Sequence, residues 1–122
     1  MKIEDCYEKM GANFGEVCSR LPSVSLVERF LGKFLEDKSY ETLCSQLECK
    51  NREEAFRAAH TLKGVCANLA FTKLFDSVSP LTEALRPEDA AVSDTVLSLF
   101  GNVTKDYELT VNAIREYLSD KE

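Results

Sequence analysis

Ala58-Ala59-His60-Thr61-Leu62-Lys63-Gly64-Val65-Cys66-Ala67-Asn68-Leu69 is the stretch on which the fold turns. At about 100° per residue, Ala55, Ala58, Leu62, Val65, Cys66 and Leu69 gather on one side of a helix. His60 falls on the opposite side, among Glu53, Arg57, Lys63, Gly64 and Ala67. An amphipathic helix buries its apolar stripe and leaves the other strip in water. The one histidine of the chain is therefore expected to face solvent. An exposed imidazole titrates near neutral pH and is nucleophilic. Gly64 sits in a helix interior, where glycine costs about 1 kcal/mol relative to alanine.

Helical spacing extends outward from this segment. Cys49-Lys50-Asn51 reads as a turn, with Asn51 capping the histidine helix and Glu54 at the capping-box position. Upstream, a short helix is expected over residues 2–10, ending at Gly11, and a weaker piece from Phe14 to Leu21. Ser25 and Glu28 suggest a capping box before the stripe Val27, Phe30, Leu31, Phe34 and Leu35. That helix should end near Asp37. Ser39 is expected to cap the next, whose stripe is Tyr40, Leu43, Cys44 and Leu47.

Downstream, the histidine helix should end near Leu69. Thr72 starts another with Leu74, Phe75, Val78, Leu81 and Leu85 inward, and Pro80 within it predicts a kink or early break. Arg86-Pro87-Glu88-Asp89 reads as a loop. A last helix runs from about Val92 to Leu118, with Val96, Phe100, Val103, Tyr107, Val111, Ile114 and Leu118 inward and Gly101 as a weak point. No segment alternates like a strand, and no Asn-Gly or Asp-Gly hairpin turn occurs. The expected fold is all-α: an antiparallel up-down four-helix bundle, preceded by one or two short N-terminal helices, as a single domain over 1–122.

Composition narrows the function classes. The chain has 122 residues, 44% hydrophobic and 30% charged, which suits a globular domain with a real core. Its net charge of −6 and pI near 4.9 argue against a nucleic-acid partner. No apolar run approaches the roughly 20 residues of a membrane span. Met1-Lys2-Ile3-Glu4-Asp5 lacks a signal-peptide core, so a cytoplasmic location is expected. Five cysteines without a C-x-x-C pair read as free thiols packed as small hydrophobes. A metal site from Cys44, Cys49 and His60 lacks a fourth ligand and is disfavoured.

The outer strip has a definite chemistry. An imidazole nitrogen can take an activated phosphoryl group and hold it through an N–P bond of high transfer potential. Such transfer requires mostly positioning and charge neutralisation. Lys63, one turn from His60, can bring its ammonium to the phosphoryl oxygens. Gly64 beside His60 leaves a partner's approach unobstructed, and Ala67 keeps the strip low.

Ala59-His60-Thr61-Leu62-Lys63-Gly64, followed by Ala67-Asn68-Leu69 and then Leu74, resembles the signature of histidine phosphotransfer (HPt) domains of two-component phosphorelays. Helix order, chain length and the pair Phe30 and Phe34 agree with that family. The resemblance implies a phosphorelay intermediate rather than an enzyme, without kinase activity of its own. His60 would be the phosphoacceptor, Lys63 its supporting cation and Gly64 the access position. Expected partners are response-regulator receiver domains or a hybrid histidine kinase, met as a monomer. No cofactor is expected on this domain; Mg belongs to the partner receiver. Two departures stand out: Ala70-Phe71 follows the Asn-Leu pair where the family often has glycine, and Pro80 is unusual.

Docking would involve Phe56, Arg57, Ala67 and Asn68 next to His60, with the negative charge relieved locally. Phe56 is either a docking anchor or packed against a neighbouring helix. Two rivals remain: an inert helical adaptor, and the phosphoacceptor domain of a chemotaxis-type kinase. The chain lacks a nucleotide loop and stops at Glu122 without a kinase domain, which disfavours the second.

Overall fold

Helix boundaries in the computed structural model, which describes residues 1–86 and 94–120, follow the capping chemistry closely. α1 (Ile3–Met10) stops at Gly11, and α2 (Phe14–Arg20) is capped by Asn13, whose side chain accepts from Glu16 N at 2.9 Å. α3 (Val24–Glu36) starts earlier than expected. Ser23, not Ser25, caps it, accepting from Leu26 N at 3.1 Å. Glu28 is not half of a capping box with Ser25; its carboxylate accepts from the Tyr117 hydroxyl at 2.5 Å.

α4 (Ser39–Glu48) brings a second correction. Ser39 is its first helical residue rather than its cap, and its N–H donates to Asp37 Oδ1 at 2.8 Å. α5 (Arg52–Leu69) begins at the expected cap, with the Asn51 side chain accepting from Glu54 N at 3.2 Å, but the capping box does not close: Asn51 N donates to Gln46 O at 2.9 Å and the Glu54 carboxylate pairs with Arg57. α6 (Thr72–Leu85) runs unbroken through Pro80, against the expected early break. Pro80 is exposed, and so is Asp76, whose carbonyl loses its helical donor. α7 (Asp94–Asp120) is 27 residues long and continues past Gly101, which is exposed. The expected start at Val92 and the loop residues Pro87, Glu88 and Asp89 lie outside the described residues.

Every described element is a helix, as the sequence predicts, and the seven helices match the seven segments read from the spacing; five of them, not four, follow the two short N-terminal helices. α5 packs between α4 and α6, α6 packs on α7, and α7 also meets α1 and α3. α4 returns to α7 through Tyr40. Its ring stacks on Tyr107 at 3.9 Å and on Phe100 at 6.1 Å, and its hydroxyl donates to Thr104 at 2.9 Å. Burial pushes that hydroxyl's pKa up to about 12.

α7 buries more than one stripe because it has several neighbours. Val96, Val103, Val111 and Ile114 are buried as expected, whereas Phe100, Tyr107 and Leu118 are only half-buried. Asp106, Thr110, Ala113 and Tyr117 join the core instead. Asp106 accepts from the Ser77 hydroxyl on α6, and the Thr110 hydroxyl bonds back to Asp106 O at 2.8 Å. These polar groups are thus partnered where burial would otherwise penalise them.

Three helices end in the same six-residue motif, with one residue in the left-handed region. Gly11, Lys50 and Ala70 have φ of 66°, 58° and 60°. At each, the next N–H reaches back five residues: Ala12 to Tyr7 O, Asn51 to Gln46 O and Phe71 to Cys66 O, at 2.8 to 2.9 Å. This is the Schellman arrangement, which glycine serves best. Ala70 adopts it without glycine because its surroundings hold it. Its carbonyl accepts from Asn13 N at 2.8 Å, while the Tyr7 hydroxyl donates to Leu69 O at 3.0 Å.

Lys50 has no such support and is exposed. Relief of left-handed strain makes Lys50→Gly stabilising by about 1 kcal/mol. The melting temperature should rise by roughly 3–6 °C. An unchanged or lower midpoint in a thermal scan would refute the assignment of strain to this position.

Candidate functional site

α5 is held on both flanks and left bare along one strip. Ala55, Ala58, Ala59, Leu62, Cys66 and Leu69 are buried. Val65, expected inward, is only half-buried, and Ala59 takes a place in the core instead. The difference reflects two neighbours: the buried arc spans the contacts with both α4 and α6. His60 is exposed, as are Gly64 and Arg57.

Gly64 has ordinary helical backbone, so no turn requires it. A Cβ built there would meet nothing within 4 Å. Neither local packing nor conformation within the chain explains a glycine at this position. What its absent side chain leaves is open space beside the imidazole.

Lys63 leans away from the strip toward α6. Its Nζ lies 5.7 Å from the centroid of the Phe75 ring, within cation–π range. Phe56 is half-buried, and its ring stacks on the His60 imidazole with centroids 5.9 Å apart and planes 18° from parallel. Arg57 pairs with Glu53 at 3.0 Å and Glu54 at 3.4 Å. The Ala67 carbonyl accepts from Arg20 Nη1 at 2.6 Å. Asn68 lines a largely apolar cavity of about 400 Å³, together with Leu21, Phe30, Lys33 and Val65. The residues expected at the site all lie on α5, with Phe56 beside His60 and Asn68 opening onto a different hollow near the helix's C-terminal end.

Two residues of α6 escaped the sequence reading. Arg86, expected in a loop, caps α6; its guanidinium lies 5.1 Å over the Phe56 ring and donates to Glu83 at 2.7 Å. Glu83 lies close enough to the site to sense it. The Arg86 hydrogen bond, and then the charges of Arg86, Lys63 and His60, hold its carboxyl below the usual range. A carboxylate with a depressed pKa adds stability above its unfolded value that is lost as pH falls through the folded one. At a fully exposed group this effect is screened by solvent. The available clue was the i, i+3 spacing of Glu83 and Arg86, a common helical ion pair. Nothing in that spacing points across to α5. Against the chain's net charge of −6, the cations Arg57 and Arg86 near the site are each tied to carboxylates.

The five cysteines are free. Cys6 and Cys66 are buried, and burial pushes the Cys6 thiol up to about 11, leaving it protonated and unreactive. Cys18 and Cys49 are exposed, contrary to the expectation of packed thiols throughout. Among the described residues, no three His, Cys, Asp or Glu side chains form a group able to hold a metal ion. No helix among them is long and apolar enough to cross a membrane.

The sequence model of the Hpt domain matches residues 25–119, which takes in α3 through nearly all of α7. The chain belongs to the Hpt domain family. Hpt domains carry phosphoryl groups in two-component phosphorelays and interact with receiver domains of response regulators or hybrid kinases. No curated protein and no solved structure matches the chain.

The open space at Gly64 makes a stability prediction for this Hpt domain. Gly64→Ala should raise the urea-unfolding free energy by about 1 kcal/mol, since alanine is the better helix former and nothing obstructs its methyl. A destabilised variant would mean that the glycine serves packing after all.

Proposed function

We propose that this Hpt domain is a phosphorelay intermediate in which His60 is the phosphoacceptor. An imidazole nitrogen attacks the aspartyl phosphate of a receiver domain. The N–P bond forms as the P–O bond to the aspartyl carbonyl breaks, the carboxylate leaves on the receiver, and the imidazole N–H proton is released. Transfer to a second receiver aspartate reverses these bonds. The domain supplies a positioned nucleophile and charge, in keeping with a reaction governed by positioning. It acts as a carrier, not as a kinase, and Mg is held by the partner receiver.

The observation that carries this reading is the pairing of an exposed His60 with the bare Gly64 next to it, on the outer strip of a helix within the family match. Lys63 supports the phosphoryl oxygens by swinging its long side chain from Phe75 toward the strip. Phe56, Arg57, Ala67 and Asn68 surround the approach and form the docking surface. The protein works as a monomer in the cytoplasm on a bundle formed by α4, α5, α6 and α7, with α3 against α7.

The test is incubation with phosphorylated receiver domains. Wild-type protein should gain an acid-labile, base-stable label that His60→Gln does not take; no label from any cognate receiver would make the chain an inert adaptor. Lys63→Ala should slow transfer roughly tenfold or more while far-UV circular dichroism stays unchanged. Gly64→Leu should suppress transfer while retaining helicity, because its side chain would fill the space beside His60. Undiminished transfer in that variant would refute the access role.

A further inference from the structure

We propose that Phe56, held by Arg86, is a positioning residue for the His60 imidazole. The inference rests on the reading of His60 as phosphoacceptor but goes beyond it. It concerns how an exposed side chain is kept in a reactive orientation without a buried partner.

An imidazole on a bare helix strip has freely accessible rotamers, and ordering it has an entropic cost. His60 has one ring neighbour among the described residues, Phe56, four residues or about one turn earlier in the helix. Side chains four apart lie above one another, so Phe56 can bear directly on the imidazole. Centroids at 5.9 Å with planes 18° from parallel fit an offset stack. Phe56 is itself fixed. It is half-buried against the apolar core, and the Arg86 guanidinium lies 5.1 Å from its centroid. Arg86 in turn donates to Glu83 at 2.7 Å. The sequence Glu83, Arg86, Phe56, His60 therefore runs from α6 to α5, ending at the nucleophile. Lys63 leans on Phe75 of α6 in the same way, so Phe56 and Lys63 both take their orientation from α6.

A docking role for Phe56 makes a different prediction from a positioning role, and a small donor separates them. Phosphoramidate needs no protein surface. The imidazole nitrogen forms an N–P bond as the N–P bond of phosphoramidate breaks, and ammonia leaves as ammonium, carrying the imidazole proton. Positioning should affect this reaction; docking should not.

The test compares Phe56→Leu, Phe56→Tyr and Arg86→Gln with wild type. Phosphohistidine formation from phosphoramidate is followed by phosphorus NMR, and the imidazole carbon–proton signals are recorded on the unphosphorylated proteins. Because the chain has one histidine, those signals belong to His60 without assignment. Phe56→Leu should shift the imidazole signals by removing the ring current and slow labelling roughly three- to tenfold, in line with the strength of an aromatic pair. Phe56→Tyr should restore both, and Arg86→Gln should move both in the same direction by less. Unmoved imidazole signals, or labelling as fast as wild type alongside slow transfer from a receiver, would overturn the positioning role and leave Phe56 as a docking residue. If wild type takes no label from phosphoramidate, the phosphoacceptor reading fails. The imidazole signals then decide alone whether Phe56 orients the ring.

Discussion

α5 must be gripped on two flanks yet stay bare on a third, and the rest of the fold follows from that constraint. Small residues make it feasible. Ala55, Ala58 and Ala59 are buried, so α4 and α6 can approach the helix closely with modest side-chain volume between them. Leu62, Cys66 and Leu69 supply the larger apolar contacts, of which a fully buried leucine contributes about 1.5–3 kcal/mol. The outer strip is then a narrow remainder, wide enough for His60, Gly64 and Arg57. α7 supports this arrangement from behind, packing on α6 and meeting α4 through the Tyr40 and Tyr107 stack.

The site itself depends on contacts between helices more than on buried charge. Its cations are already engaged: Arg57 with Glu53 and Glu54, Arg86 with Glu83, Lys63 over Phe75. These exposed interactions are individually weak. A pair worth a fraction of a kcal/mol is readily exchanged for a stronger charge-assisted bond, so these cations stay available to an anionic partner.

Much of this was legible from residues in local patterns. Asn51 before Glu54 located the start of α5, and the 3.6 period placed His60 outward without tertiary information. Local signals misled where several candidates stood side by side. The Ser25 and Glu28 spacing pointed to a capping box, but Ser23 caps the helix and Glu28 accepts from Tyr117 of α7 instead. Of the kink or early break that Pro80 predicted, the early break does not occur, since α6 runs on to Leu85. The wider buried arcs of α5 and α7, including Ala59, Asp106 and Tyr117, come from having two or more neighbours, which a single stripe cannot encode. The link from Glu83 and Arg86 to Phe56 crosses between helices and leaves no trace in spacing along the chain.

The family pattern begins at residue 25, so α1 and α2 lie outside it. Yet Tyr7, Asn13 and Arg20 bind the carbonyls of Leu69, Ala70 and Ala67 at the C-terminal end of the histidine helix. These contacts join positions that are far apart along the chain, and such contacts close slowly because loop entropy must first be overcome. The end of α5 is thus completed only when the N-terminal segment folds back onto it. During folding, the histidine helix can form and bury its stripe first, with its last turn frayed until α1 and α2 arrive.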